Sequence, residues 1–353
     1  MQKVIARVNL KAIKENAAAF KELTKTKLCA VVKADAYGHG AERVVCALEA
    51  EADMFAVALL SEGLAIRTAA CGKPILVLTP PVTATEARAI VQSGLIATVP
   101  DLFTARLMAN AATDLKRSVS VHLKVNTGMN RYGMNASMLG RVCTFLKREQ
   151  FVLVEGLYSH LYTQELAESQ NQLRLFLRMK AVAARYYPVL CCHLSATYGA
   201  LLGKAFALDM VRVGLGLYGY LPIGKEAGIS ALPPLKKAMT VLAYAVSTRK
   251  YSFGGAGYDS AEMRQPERGE QITALRVGYA DGFLRDGKRS GALDKKGLNN
   301  LCMDVALMRG KKERGALVPV LSDANESAAR EGTISYEVLC AATRRAEFVY
   351  EYE

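Results

Sequence analysis

Short apolar runs of strand length alternate with amphipathic helical stretches from the start of the chain to about residue 222. Few folds admit so regular an alternation, because each helix must cover a strand and return the chain in parallel. Strand candidates are residues 28–32, 53–59, 74–78, 95–99, 119–125, 152–158, 189–194 and 210–218. Helical patterns occupy 10–23, 41–51, 61–70, 83–93, 101–113, 137–147 and 164–185. The first shows its period plainly, with Leu10, Ile13, Ala17 and Phe20 on one face. Eight strands separated by helices predict a (β/α)8 barrel of the TIM type over residues 1–222. The rival, an open doubly wound sheet, usually carries a glycine fingerprint after its first strand, and none follows residues 28–32.

Beyond residue 222 the texture changes. Residues 223–234 are rich in Gly, Pro and small side chains and read as a linker. Strand-like runs follow at 239–247, 271–277, 305–308, 316–321, 333–339 and 347–352, with one short helical piece at 326–330. Residues 223–353 are therefore expected to form a mainly-β domain, and 353 residues suit two domains.

Composition removes several classes of function. With 51% hydrophobic and 22% charged residues the chain is not a disordered one. No apolar run approaches the roughly 20 residues that cross a bilayer, and the charged start does not read as a signal peptide. A cytoplasmic protein with no membrane partner is expected. The eight cysteines form no CxxC pair, so buried free thiols are the default and a metal site is not expected. The formal charge of +13 raises the question of nucleic acid. Basic residues crowd at 285–296 and 311–314, but no nucleic-acid-binding motif accompanies them. An anionic small molecule accounts for part of the excess more simply.

A barrel gathers its chemistry at the C-terminal ends of its strands. That rule selects Lys33, Lys124, Asn126, His160, His193, Ser195 and Arg212. Lys33 directly follows a buried apolar run, where desolvation favours the neutral, nucleophilic amine that Schiff-base chemistry requires. A strand-end lysine can also simply reach for solvent. After it, Tyr37, Gly38 and Gly40 lead into a helix whose first N–H groups suit a phosphate.

The segment from Val31 to Gly40 resembles the pyridoxal-phosphate lysine motif of the bacterial alanine racemase family, and the resemblance continues along the chain. Lys124 to Gly133, Gly156 to His160, Val211 to Gly219, Val277 to Gly282, Cys302 to Asp304 and Thr333 to Glu337 resemble family landmarks in the family's order. The resemblance implies pyridoxal 5'-phosphate as cofactor, with Lys33 carrying it and serving as one acid/base. Tyr258 would be the opposite base in a two-base racemisation of alanine. Arg212 would face the ring nitrogen, oriented by His193. Tyr37, Thr197, Gly214 and Tyr336 would hold the phosphate, and His160 would be a further cofactor-binding residue that also helps the tyrosine base. Arg131 and the backbone of Met303 would meet the substrate carboxylate or a cofactor oxygen, with Lys124, Tyr279 and Asp304 in support. A homodimer is implied too, in which the second domain reaches the partner's site.

The chain departs from the family pattern in places. Asn126 stands where Asp is usual, Asp259 follows Tyr258 where Gly is usual, and residues 309–331 look shortened. The segment from His193 to Gly199 lacks the usual Asn-Ser pair and resembles serine-racemising relatives. Serine or broad small-amino-acid racemisation therefore stays open beside alanine. A cofactor-carrying homeostasis protein is the alternative of a different class, and such carriers generally stop after the barrel. A lyase or decarboxylase is disfavoured by Arg212, since those relatives more often place an acid at the ring nitrogen.

Overall fold

A computed structural model describes residues 4–222, 229, 232–258, 266–285, 297–298 and 301–352. Asp259 and most of the expected linker and of the 285–296 basic stretch lie outside these residues. The chain divides into two compact units. One comprises Ile13–Ala36 and Ala41–Lys236; the other comprises Met1–Ala12, Tyr37–Gly40 and Lys237–Glu353.

The described chain opens with a strand that the sequence reading omitted, β1 (Ile5–Asn9). Its buried side chains, Ala6 and Val8, continue the period of two begun by Val4 just before it. This strand belongs to the sheet of the second unit, so the first dozen residues group with that unit rather than with the barrel.

The larger unit is a nearly closed barrel. Its strands are β2 (Lys27–Val31), β3 (Met54–Val57), β4 (Ile75–Val77), β5 (Ile96–Val99), β6 (Val119–Lys124), β7 (Val152–Tyr158), β8 (Cys191–His193) and β9 (Met210–Val213). Each pairs in parallel with the next up to β8, and β9 returns to β2. The seam between β8 and β9 carries two backbone hydrogen bonds, Asp209 N–H to Cys192 O (3.1 Å) and Arg212 N–H to Ser195 O (2.9 Å). The strands β3, β4, β5 and β9 are buried along their whole length, as parallel strands covered on both faces must be. The strand expected over 210–218 stops at Val213. Gly214 leaves the extended region, and Leu215–Tyr218 forms a 3-10 turn.

The second unit holds β1 with β10 (Met239–Lys250), β11 (Gln271–Leu275), β12 (Gly297–Leu298), β13 (Ala306–Arg309), β14 (Leu317–Leu321) and β15 (Glu347–Glu351). The order is β12-β13-β11-β10-β1-β15, with β14 also on β10. The strand expected at 333–339 is instead a helix, Ser335–Ala341. Its buried positions, Ser335, Val338 and Leu339, with the C-cap Ala342, repeat at three and four, which is the helical spacing. A second helix, Ala324–Glu331, starts on the Asp323 cap and ends on Gly332 at φ +69°.

Buried thiols were expected, and Cys29, Cys143 and Cys192 are buried; Cys46 and Cys71 are exposed. No described helix is long and apolar enough to cross a membrane.

Candidate active site

Lys33 follows β2, as the strand-end rule predicts, and is half-buried. It opens a tight helical turn, Lys33–Gly38, ahead of the helix Ala41–Ala47. Ala34, Asp35, Ala36 and Tyr37 all have φ between +51° and +54°, a left-handed turn of four non-glycine residues. Each such residue costs about 1–2 kcal/mol, so neighbouring groups must hold the conformation. Ala34 N–H donates to Glu62 Oε1 (2.7 Å), and Asp35 Oδ1 accepts from Ala41 N–H (2.7 Å).

Across the barrel mouth, Arg212 is the organising cation. It is 3% exposed, and among the described residues it pairs with no carboxylate; the carboxylate of Asp209, three residues away in sequence, takes Cys192 N–H. Its guanidinium donates to Ser159 O (2.8 Å), Leu194 O (3.1 Å), His193 Nδ1 (2.8 Å) and His160 Nδ1 (3.2 Å). Guanidinium only donates, so both imidazoles must accept at Nδ1. His193 then carries its proton on Nε2 and donates it to His122 Nδ1 at 2.9 Å. Burial first, and the Arg212 charge second, hold all three histidines neutral, with His122 pulled down to about 3.

The same chain of contacts has members that sequence reasoning missed. Tyr158 stacks on His193 (4.8 Å between centroids, 5° between planes), and its hydroxyl is 2.7 Å from that of Thr98. Lys124 Nζ sits 4.3 Å over the Tyr158 ring, and burial with the charges of Arg212 and Arg131 drives its pKa well down. The signal for His122 was present: Ser120, His122 and Lys124 alternate along β6 and so share a face. Gly156 on β7 leaves room for the His122 ring, since a Cβ there would lie 2.6 Å from three of its atoms.

Thr197 begins a short helix, Thr197–Leu201, and its hydroxyl oxygen accepts from Gly216 N–H (3.1 Å) and Gly214 N–H (3.4 Å). Among the described residues its own proton has no acceptor, which leaves it for a ligand oxygen. Ser195, selected by the strand-end rule, spends its hydroxyl on Phe206 O (2.7 Å). Asn126 organises the following loop by accepting from Gly128 N–H (3.0 Å) and Asn130 N–H (3.1 Å). Arg131 is exposed, 5.3 Å over the Tyr132 ring.

In the other unit, Tyr37 is buried and its ring lies 5.8 Å from that of half-buried Tyr336. Asp304 accepts from Arg345 Nη1 (2.8 Å), and Arg345 also approaches Asp281 (3.5 Å). Tyr279 donates its N–H to Cys302 O (3.1 Å), while Met303 O accepts from Ala280 N–H (3.0 Å). Tyr258 and Met303 are exposed, at 64% and 54%.

The donor set of the barrel mouth suits an anionic, nitrogen-containing ring cofactor. Arg212 is surrounded by neutral acceptors only, and its Nε–H has no partner among the described residues. The charges of Lys33, Lys124, Arg131 and Arg212 all bear on His160, which marks one shared cationic region.

Comparison with known proteins adds an independent line. Residues 8–222 match the family model "Alanine racemase, N-terminal domain", and residues 238–350 match "Alanine racemase, C-terminal domain". Alanine racemase of Lactobacillus delbrueckii subsp. bulgaricus is 32% identical over 98% of this chain and 97% of its own. The solved alanine racemase of Clostridium difficile 630 superposes with a TM-score of 0.90 at 27% identity, over 99% of this chain and 96% of that one. The Bartonella henselae enzyme, solved with covalently bound pyridoxal phosphate, shares the fold at 24% identity (TM-score 0.85, covering 99% and 100%).

Proposed function

The chain belongs to the alanine racemase family, and from that premise we propose that it interconverts L- and D-alanine with pyridoxal 5'-phosphate. The observation that carries the reading is Arg212, a buried cation donating only to neutral groups, in the same cationic region as the strand-end Lys33. When bound, the cofactor withdraws electrons from the substrate's Cα and makes its proton acidic.

The chain's own residues do the rest. The Lys33 amine holds the cofactor and exchanges a proton on one face of Cα. The Tyr258 hydroxyl serves the opposite face, as inversion requires. Arg212 donates a hydrogen bond to the ring nitrogen without surrendering its proton, which keeps electron withdrawal moderate. Moderate withdrawal favours proton exchange over bond cleavage, and this disfavours a lyase or decarboxylase. His193 orients Arg212, and His160 helps the tyrosine base. Thr197, Gly214, Tyr37 and Tyr336 hold the phosphate through hydroxyl and N–H groups. Arg131 and the Met303 backbone receive the substrate carboxylate, with Lys124, Tyr279 and Asp304 in support.

The exposure of Tyr258 and Met303 supports a homodimer in which these residues serve the barrel of a second copy. The proposed setting is cytoplasmic, with D-alanine supplied to the cell wall. Purified, cofactor-loaded protein offered a panel of L-amino acids should yield D-alanine fastest. Faster D-serine formation would move the assignment to serine, and loaded protein that racemises neither would refute it.

A further inference from the structure

Two of the eight thiols are exposed together. Cys46 lies on the helix Ala41–Ala47, and Cys71 lies in the turn after the helix Leu60–Ile66. Both side chains converge on one atom, the Ala69 carbonyl oxygen, at 4.0 Å from Cys46 Sγ and 3.5 Å from Cys71 Sγ. Those contacts bring the two sulfurs within about 7.5 Å of each other. A disulfide needs the sulfurs at roughly 2 Å, so closure requires the two side chains to rotate about their Cα–Cβ bonds and the turn to move with them. Cys71 and Gly72 are consecutive left-handed residues, at φ +45° and +79°, and a Cβ at Gly72 would meet nothing within 4 Å. The turn therefore has space in which to adjust.

We propose that Cys46 and Cys71 are a modification site that forms a reversible disulfide within one chain. The oxidant is a low-molecular-weight disulfide. One thiol loses its proton and attacks it, releasing one small thiol and leaving a mixed disulfide. The second cysteine attacks the protein sulfur of that bond, and the other small thiol leaves. Two protein S–H bonds are lost, one S–S bond is gained, and the two electrons reside in the two small thiols.

The consequence reaches the Lys33 turn. The helix carrying Cys46 donates its first N–H to Asp35, and the helix preceding Cys71 supplies the Glu62 carboxylate to Ala34 N–H. Oxidation thus ties together the two elements that hold the left-handed turn, and should raise Tm by about 5 °C.

The test uses the cofactor-loaded protein, equilibrated across a series of oxidised to reduced glutathione, quenched with iodoacetamide and mapped by mass spectrometry. A Cys46–Cys71 cross-linked peptide from single chains, accompanied by the rise in Tm and reversed by dithiothreitol, is expected. Cys46→Ser should abolish the cross-link and leave Cys71 as a mixed disulfide with glutathione. Two alkylated thiols at every ratio, glutathione on both cysteines without a cross-link, or linkage only between chains would each overturn the proposal.

Discussion

Arg212 and Tyr258 are assigned to two ends of one reaction and stand in opposite surroundings. Arg212 is sealed in the barrel, donating to two carbonyls and two imidazoles. Tyr258 occupies a turn and is 64% exposed. A group fixed by its own chain is preorganised before any ligand arrives, so its contribution is set by folding. A group left in solvent acquires its position only when something covers it, and here that role is assigned to a second copy. Lesions in the two regions should consequently behave differently.

The sharpest test of the barrel side is Lys33→Ala, which should lower kcat by about 10^4-fold, the upper range for loss of a positioned acid/base. Borohydride treatment of the wild type should fix the cofactor to the peptide containing Lys33. Colourless protein that takes up no cofactor would remove the reading of Lys33 altogether.

On the exposed side, Tyr258→Phe should keep the cofactor and lose about 10^2–10^4-fold in racemisation. The α-proton of one alanine enantiomer should then exchange far faster than that of the other. The comparison itself is tested by mixing Lys33→Ala with Tyr258→Phe under subunit exchange. If sites are shared, a mixed dimer has one site with both lesions and one with neither, and activity recovers to roughly a quarter of wild type. A mixture that stays inactive, with exchange demonstrated separately, places Tyr258 at its own chain's barrel.

These two regions were also unequally legible in the sequence. The strand-end rule found Lys33, Lys124, His160, His193 and Arg212 because a parallel barrel delivers strand ends to one place whatever the details of packing. It could not show that His122 meets His193, because that contact spans β6 and β8 and depends on the registers between them. Nor could it show the exposure of Cys46, which follows Val44 and Val45 in an apolar run but projects from the other side of the helix. In the second domain the error at 335–341 came from reading a β-branched, aromatic run by composition when its buried positions follow the helical period. Tyr258 was named only through resemblance, since an exposed turn tyrosine carries no local sign of chemistry.

The histidines give a third, smaller effect confined to the barrel. His122 is neutral when folded, with a pKa near 3, and titrates near 6.5 when unfolded. Between those values the unfolded chain binds the extra proton, so stability falls as pH drops from about 6.5 toward 3. One such histidine contributes a slope of up to about 1.4 kcal/mol per pH unit across its window. His122→Asn should reduce the slope by about one histidine's share, measured by urea unfolding between pH 4 and 6. An unchanged slope would mean that His122 is protonated in the fold, contrary to the donor chain from Arg212.

The smallest expected effect concerns the turn beside Lys33, where preorganisation works against local preference. Ala34 is exposed and held at φ +51°, so replacing it with glycine removes backbone strain of about 1–2 kcal/mol without opening a cavity. Glycine also adds unfolded-state entropy, which offsets about 0.4–1 kcal/mol of that gain. Ala34→Gly should therefore stabilise the protein by about 0.5–1 kcal/mol in chemical unfolding, with the amide link to Glu62 retained. Ala36→Gly lies in the same turn but removes a fully buried methyl, and its strain relief should be cancelled by lost packing. The contrast between the two variants separates strain from packing. If Ala34→Gly destabilises instead, the turn does not hold its left-handed conformation in solution, and Lys33 is positioned by its strand alone.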